Sequence, residues 1–353
     1  MNRVSPVCAD RSGLPADRTA STPASQSHAR YRPDIDGLRG VAVLSVLAVH
    51  SFPHWIKSGF IGVDICFVLS GFLITGVLLQ SLEAGRFSYV DFYARRVRRI
   101  VPALCLVFFA CLAFNSYFNV ELGAESLLDL RSLGVQAQFY LVWPFAAAFL
   151  FRHRRWALWI MGAAVLGSFV LNDSFVVAAP TATALGLPAR FWQLMVGALL
   201  AYLTRHHRRD PLTWLGTRLP PGSWLRRHLA DAVAAFGILM LIAALALADR
   251  AGRFPGWWAL LSTFGTVALL AAGAEAWVNQ HVLSHAILRF YGAISYPLYL
   301  WHGLLLSVPA ATGTPLTNEV RVMILIGSVA LAALTYDLLE KPIRFGSPGR
   351  HPS

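Results

Sequence analysis

Two side chains with chemistry to offer stand in an apolar run near the N-terminus, PDIDGLRGVAVLSVLAVH over residues 33–50. They are the guanidinium of Arg39 and the imidazole of His50, eleven positions apart. On an α-helix they fall about 20° from alignment and about 16 Å apart along the axis, so they share one stripe. An imidazole near neutral pH can take a proton or carry a group, and a guanidinium can grip a phosphate at two points. An ionisable residue at membrane depth is costly enough to need a reason. Two reasons compete. The stripe could be a functional channel with a base at one end and an anion clamp at the other. Alternatively, Arg39 snorkels to lipid phosphates while a hydrogen bond inside a helix bundle holds His50.

Neighbouring segments add candidates. In SFPHWIKSGFIGVDICFVLSGFLITG, residues 51–76, Gly59 and Gly62 suit a tight turn and Asp64 opens the next apolar segment. A carboxylate there could hold His50 in one tautomer and raise its basicity, or it could simply cap a helix start. In FSYVDFYARRVRRIVPA, residues 87–103, Arg95, Arg96, Arg98 and Arg99 come just before a third apolar span. Spacings of three and four pair them on helix faces, as a phosphate grip or as a topology signal. His302, in YLWHG, fits a bundle hydrogen bond, whereas His54 is expected in an outer loop with no task. Trp143, Trp156 and Trp301 read as interfacial anchors or packing. The cysteines at 8, 66, 105 and 111 form no CxxC pair. They are expected as small buried hydrophobes, with no metal site and no disulfide framework.

The elements that must position these groups follow from composition. The 353 residues are 56% hydrophobic and 14% charged with a mean hydropathy of +0.54, whereas soluble domains carry about 25% charged residues. That composition predicts a membrane protein. The net charge of +12 would suit nucleic acid, but no recognition motif accompanies it, and basic blocks between apolar spans mark cytoplasmic loops. About ten windows approach the length of a spanning helix. They lie near 35–53, 60–80, 100–119, 133–151, 156–172, 189–204, 230–248, 256–274, 291–310 and 321–339. With the N-terminus inside, the outer segments hold only Lys57, Arg131, Arg190, Arg250, Arg253 and Arg321, and nearly all the remaining Lys and Arg fall inside. This asymmetry predicts an N-in, C-in topology. Residues 1–30, rich in Ser, Ala, Arg and Pro, read as a disordered cytoplasmic tail without a signal-peptide core, 31–345 as one all-α membrane bundle, and 346–353 as a short C-terminal tail.

Eight segments, in order, resemble the membrane acyltransferase-3 family, which includes bacterial O-antigen, Nod-factor and macrolide O-acyltransferases. They are YRPDIDGLRGVAVLSVLAVH, GFIGVDICFVLSGFLIT, FYARRVRRIVPAL, SLGVQAQFYLVWPF, ARFWQLMVGALLA, FPGWWALLSTFGT, FYGAISYPLYLWHG and LTYDLLEKPIRF. The resemblance implies a ten-helix enzyme of the bacterial inner membrane. Such an enzyme moves an acyl group, often acetyl, from cytoplasmic acyl-CoA to a sugar hydroxyl or similar acceptor. It places His50 as the catalytic histidine and Asp64 in the GVD signature. Arg39 with Arg95, Arg96, Arg98 and Arg99 would handle the donor, and Gln136, Tyr140, Trp192, Gln193 and His302 would support the site or the acceptor. Some members add a C-terminal hydrolase-like domain, and the chain is expected to be the form without it.

The expected co-substrate is therefore acyl-CoA, acetyl-CoA above all, with no permanently bound cofactor. The expected partners are membrane lipids, the donor and a carbohydrate acceptor, with the oligomeric state open. The chain departs from the family where SLxVEEQFYL is usual, with Gln136 and Ala137 in place of both acidic residues, and at Gln193 where RFWE is usual. Glutamine keeps the shape of glutamate but not its charge or its capacity as a base. A catalytically degenerate partner that retains the fold is accordingly the main alternative. A transporter or flippase is the other, with no repeat visible to support it.

Overall fold

The computed structural model describes residues 31–56, 58–118, 130–178, 187–206, 211–220, 224, 228–248 and 256–345. The expected tails at 1–30, with Cys8, and at 346–353 lie outside the described residues. The described residues from Arg32 onward form one compact unit.

The described residues are helical and contain no strand. The helices are α1 Pro33–Ser51, α2 Ile61–Glu83, α3 Tyr89–Phe118, α4 Leu130–Arg152, α5 Arg154–Ala178, α6 Leu187–His206 and α7 Pro211–Arg218. Then come α8 Leu229–Leu247, α9 Ala259–Ala272, a π-helical turn Val278–Leu283, α10 Ala286–Ala293, α11 Ser295–Thr312 and α12 Asn318–Thr335. A second π turn, Tyr336–Glu340, leads into the short α13 Lys341–Phe345. Local chemistry sets several ends. Pro33 starts α1 with Asp34 and Asp36 in its first turn, where a missing N–H is harmless and negative charge complements the helix dipole. Gly273, at φ 80°, stops α9, and the Thr317 hydroxyl accepts the Val320 N–H at 3.4 Å to start α12.

Among the described residues, six stretches are long and apolar enough to cross a membrane: Ile61–Glu83, Tyr89–Tyr117, Leu133–Arg152, Arg154–Ser174, Leu229–Leu247 and Asn318–Arg344. The other four sequence windows also contain helix, namely α1, α6, α9 and α11, but none meets that test. At 14 residues, α9 rises only about 21 Å, short of the hydrocarbon thickness of about 30 Å. The other three dilute their apolar residues with Asp34, Asp36 and Arg39 in α1, Arg190 and Gln193 in α6, and His302 in α11. These four helices line the interior, where polar groups find partners. By contrast, α3 and α4 turn Phe108, Phe109, Leu112, Leu141, Phe145 and Phe149 outward, each roughly half exposed. Cys105 is exposed on the same apolar exterior, which corrects its expected burial.

Two boundaries differ from expectation for physical reasons. The arginine run lies within α3 and not ahead of it, because the helix starts at Tyr89 and absorbs Pro102. The window 291–310 breaks at Ile294, with Pro297 in the first turn of α11, a position where proline costs no hydrogen bond.

The most extensive helix contacts are α2 with α6, α1 with α10, and α8 with α9. Close approach is built on glycine. Gly59 lies in the expected turn and Gly62 in the first turn of α2, and both let the start of α2 lie on α1: an added Cβ would stand 2.0 Å from the Ser45 carbonyl oxygen and 2.1 Å from that of Ala42. Between α2 and α6, a Cβ on Gly71 would stand 1.8 Å from the Leu194 carbonyl oxygen. Backbone cannot yield there as a flexible side chain would. Gly71→Ala is therefore expected to lower stability by about 1–3 kcal/mol through overpacking, read as a lower melting temperature in detergent. Gly134→Ala, where nothing lies within 4 Å, is the matched control and should leave it unchanged.

Candidate active site

At the last turn of α1, the His50 ring stacks on that of His302 from α11, with centroids 6.3 Å apart and planes at 7°. His302 is buried and held on both nitrogens, Nδ1 at 3.4 Å from Ser328 Oγ and Nε2 at 3.4 Å from Ser51 Oγ. The Ser328 hydroxyl donates to the Ile324 carbonyl at 2.6 Å, so toward His302 it can only accept. That assigns the proton to Nδ1 and leaves Nε2 to accept from Ser51. His302 thus makes bundle hydrogen bonds, as one sequence reading expected, and also faces the candidate base. Arg321 of α12 donates to the Ser51 carbonyl and joins the ends of α1 and α12.

Asp64 does not serve His50 as the sequence spacing allowed. Its fully buried carboxylate pairs with Arg190 of α6 at 2.8 Å and accepts from Gln193 at 2.6 Å and from Ser262 of α9 at 2.7 Å. Three helices are tied at one carboxylate. Asp64 lies in the first turn of α2, whose N-cap position is Phe60. Arg190, expected on the outer side of the topology count, is 7% exposed and so is a core ion. The same rule that singled out Arg39, an ion inside an apolar run, could have found it. Gln193 uses its amide N–H where a glutamate would have brought a second negative charge against Asp64. Its Oε1 is buried with no hydrogen-bond partner among the described residues. Trp192 is buried and packs edge-on against Phe169 with centroids 5.2 Å apart, contributing packing beside this group.

The opposite end of α1 carries the cations. Arg39 pairs with Asp36 at 3.3 Å. The run on α3 divides: Arg95 and Arg98 are exposed, while Arg96 and Arg99 are partly buried and turned inward. The Arg96 guanidinium lies over the rings of Phe92 and Tyr140 at 5.6 and 5.4 Å from their centroids, a cation–π arrangement. Arg99 feels the charges of Arg39, Arg96 and Arg344, so these groups form one cluster. Glu340 balances it in part through Arg344 at 3.5 Å. Sequence spacing alone grouped all four arginines of α3 and did not find Arg344 or Glu340, which arrive on the π turn and α13.

Gln136 donates to Ser70 of α2 and, at 2.5 Å, to the Tyr140 hydroxyl, which itself stands 3.3 Å from Ser70. It thereby links the Arg96 platform to α2. Ala137 is exposed, outside this network. Of the missing family carboxylates, two therefore occupy polar interior positions and one faces out. Trp143 and Trp301 are buried packing residues that donate to Thr75 at 2.7 Å and Thr335 at 2.8 Å, whereas Trp156 is exposed. Among the described residues, no group of three or more His, Cys, Asp or Glu is placed to hold a metal ion.

The chain resembles a Bacillus subtilis (strain 168) protein provisionally named peptidoglycan O-acetyltransferase YrhL, with 29% identity across 90% of this chain and 55% of that protein. It is 27% identical to the peptidoglycan O-acetyltransferase OatA of Listeria monocytogenes, across 89% of this chain and 56% of the relative. To the O-acetyltransferase OatA of Staphylococcus aureus (strain NCTC 8325) it is 25% identical, across 89% and 57%. The chain thus spans little more than half the length of these relatives. No solved structure matches it. The model of an acyltransferase domain aligns with residues 32–337, both ends of the α1 stripe included, and the chain belongs to the acyltransferase-3 family.

Proposed function

We propose that this chain transfers an acetyl group from acetyl-CoA to a hydroxyl of a cell-surface carbohydrate. The observation that carries the reading is the layout of α1, with His50 against His302 at one end and Arg39 beside Arg96, Arg99 and Arg344 at the other. The donor's phosphates would sit at the arginines, and its thin pantetheine arm would run along the stripe of about 16 Å to His50. There His50 takes the proton of the acceptor hydroxyl, the oxygen bonds to the acetyl carbon, the C–S bond breaks, and the thiolate leaves to be protonated. The relatives' names favour peptidoglycan as the carbohydrate over O-antigen, Nod-factor or macrolide acceptors.

In this reading all ten apolar windows belong to the bundle of a bacterial inner-membrane protein, with both termini and the arginine cluster in the cytoplasm. Arg190 leaves the outer count once it is a core ion, which sharpens the asymmetry of the remaining Lys and Arg.

Purified protein given acetyl-CoA labelled in the acetyl group, with a soluble glycan, tests the reading. Label should appear on the glycan, and Arg96→Ala with Arg99→Ala should raise the KM for acetyl-CoA about tenfold or more. The exposed pair Arg95→Ala with Arg98→Ala should shift it far less. Label that never reaches a glycan rejects the activity, and equal effects of the two pairs reject the clamp.

One observation favours a second reading, in which the chain is an inactive partner that keeps the fold. Gln136 and Gln193 occupy interior positions where the family's carboxylates are usual. Wild-type turnover in the same assay excludes it.

A further inference from the structure

The end of α1 that carries His50 borders a pocket of about 490 Å³. One wall is the turn after α1, with Phe52, Pro53, His54 and Trp55; Thr317, Asn318 and Glu319 at the start of α12 form the other. The volume falls in the range of about 300–1,000 Å³ usual for small-ligand sites. It has room for a unit or two of a polymer and not for the whole.

The walls differ in chemistry. Trp55 is 78% exposed, yet its ring is braced by Phe52 with centroids 5.6 Å apart and planes at 14°. The pair makes a fixed, flat, apolar plate in a short connection, where an exposed tryptophan adds nothing to a core. Opposite it stand an amide, a carboxylate and a hydroxyl within three consecutive residues. Among the described lining residues the arginine is already engaged, since Arg321 donates to the carbonyls of Ser51 and, at 3.3 Å, Leu316, tying the two walls together. An apolar plate facing neutral and acidic hydrogen-bonding groups suits a ligand with one C–H face and a rim of hydroxyls. It does not suit a phosphate.

Position supplies the role. Arg321 lines the pocket and bonds to Ser51, the residue after His50, and the Ser51 hydroxyl lies 3.4 Å from His302 Nε2. The pocket therefore adjoins the histidine pair and lies at the opposite end of α1 from the arginine cluster.

We infer that this pocket is a glycan subsite that seats a pyranose unit of the acceptor, with Trp55 as the stacking plate and Asn318 and Glu319 as hydroxyl partners. Its role as acceptor site rests on the acetyl-transfer reading; glycan binding itself does not. His54, which the sequence left without a task, becomes part of its wall.

Binding is therefore the test, without any donor. The β-1,4-linked tetramer of N-acetylglucosamine and maltotetraose are titrated by calorimetry into the detergent-purified full chain. At least one should bind the wild type, and Trp55→Ala should weaken it about tenfold or more, with Asn318→Ala showing a smaller loss. Trp159→Ala, a change at another exposed tryptophan, should leave the affinity unaltered, and His50→Ala should alter it less than Trp55→Ala. Both Trp55 and Asn318 are exposed, so the variants should fold, which their melting temperatures check. The proposal is overturned if neither glycan binds the wild type. It is also overturned if Trp55→Ala leaves glycan affinity intact and changes only partition into lipid vesicles, which would make Trp55 a membrane anchor. Intact binding in protein that never transfers acetyl would uphold the subsite and reject the transfer reading, so the two failures are distinct.

Discussion

His50→Ala is expected to lower acetyl transfer by about 10²–10⁴-fold, the usual worth of a positioned general base, with little change in the KM for acetyl-CoA. The donor's phosphates are assigned to arginines about 16 Å away, so removing the imidazole should act on kcat alone. His50 is partly buried at the last full turn of α1, and its loss should leave the helix intact. His302 provides the informative contrast. Its two nitrogens are held by Ser51 and Ser328, and in the proposed mechanism it orients the His50 ring while His50 takes the proton. His302→Phe keeps a flat ring for stacking but takes the imidazole partner from both serine hydroxyls, of which Ser328 retains its bond to the Ile324 carbonyl. It should reduce kcat less than His50→Ala does and should lower the melting temperature, because two buried hydroxyls lose a partner. Rates and melting temperatures for the two variants decide the matter, and normal transfer by His50→Ala would sink the assignment of the base.

Breaking the Asp64–Arg190 pair should have the largest effect on stability. Removing one partner of a buried ion pair typically costs about 3–5 kcal/mol, because the other charge is left without compensation. Asp64 is fully buried and Arg190 nearly so, and the carboxylate also gathers Gln193 and Ser262. Asp64→Ala therefore removes the carboxylate that Arg190, Gln193 and Ser262 share. Replacing both ions at once, Asp64→Leu with Arg190→Leu, removes both charges from the interior. The double variant should be more stable than either single variant, a coupling that unfolding of all four proteins in detergent would measure. If the single changes are as mild as a surface substitution, the pair does not pin α2 to α6. Gln193→Glu probes the same point from the other side, because a second carboxylate would have to share the single guanidinium.

Such pairings explain what could be read from the chain alone. The helical class, the apolar segments and the common stripe of Arg39 and His50 all follow from composition and local periodicity, which are properties of neighbouring residues. The eight ordered motifs carried the family. Other features needed the fold. Asp64 meets Arg190 across 126 positions and His302 meets Ser51 across 251, separations on which helix arithmetic is silent. Nor did spacing show that Arg96 and Arg99 face in while Arg95 and Arg98 face out, or that Gln136 lies inside and Ala137 outside. In water, the contrast between apolar and polar faces tells a reader which side of a helix is buried. Here both sides of α3 and α4 are apolar, one against protein and one turned outward, so that contrast is nearly absent. Only packing, with glycines such as Gly71 bringing backbones together, decided which polar side chains share the interior and hence which of them can act on one substrate.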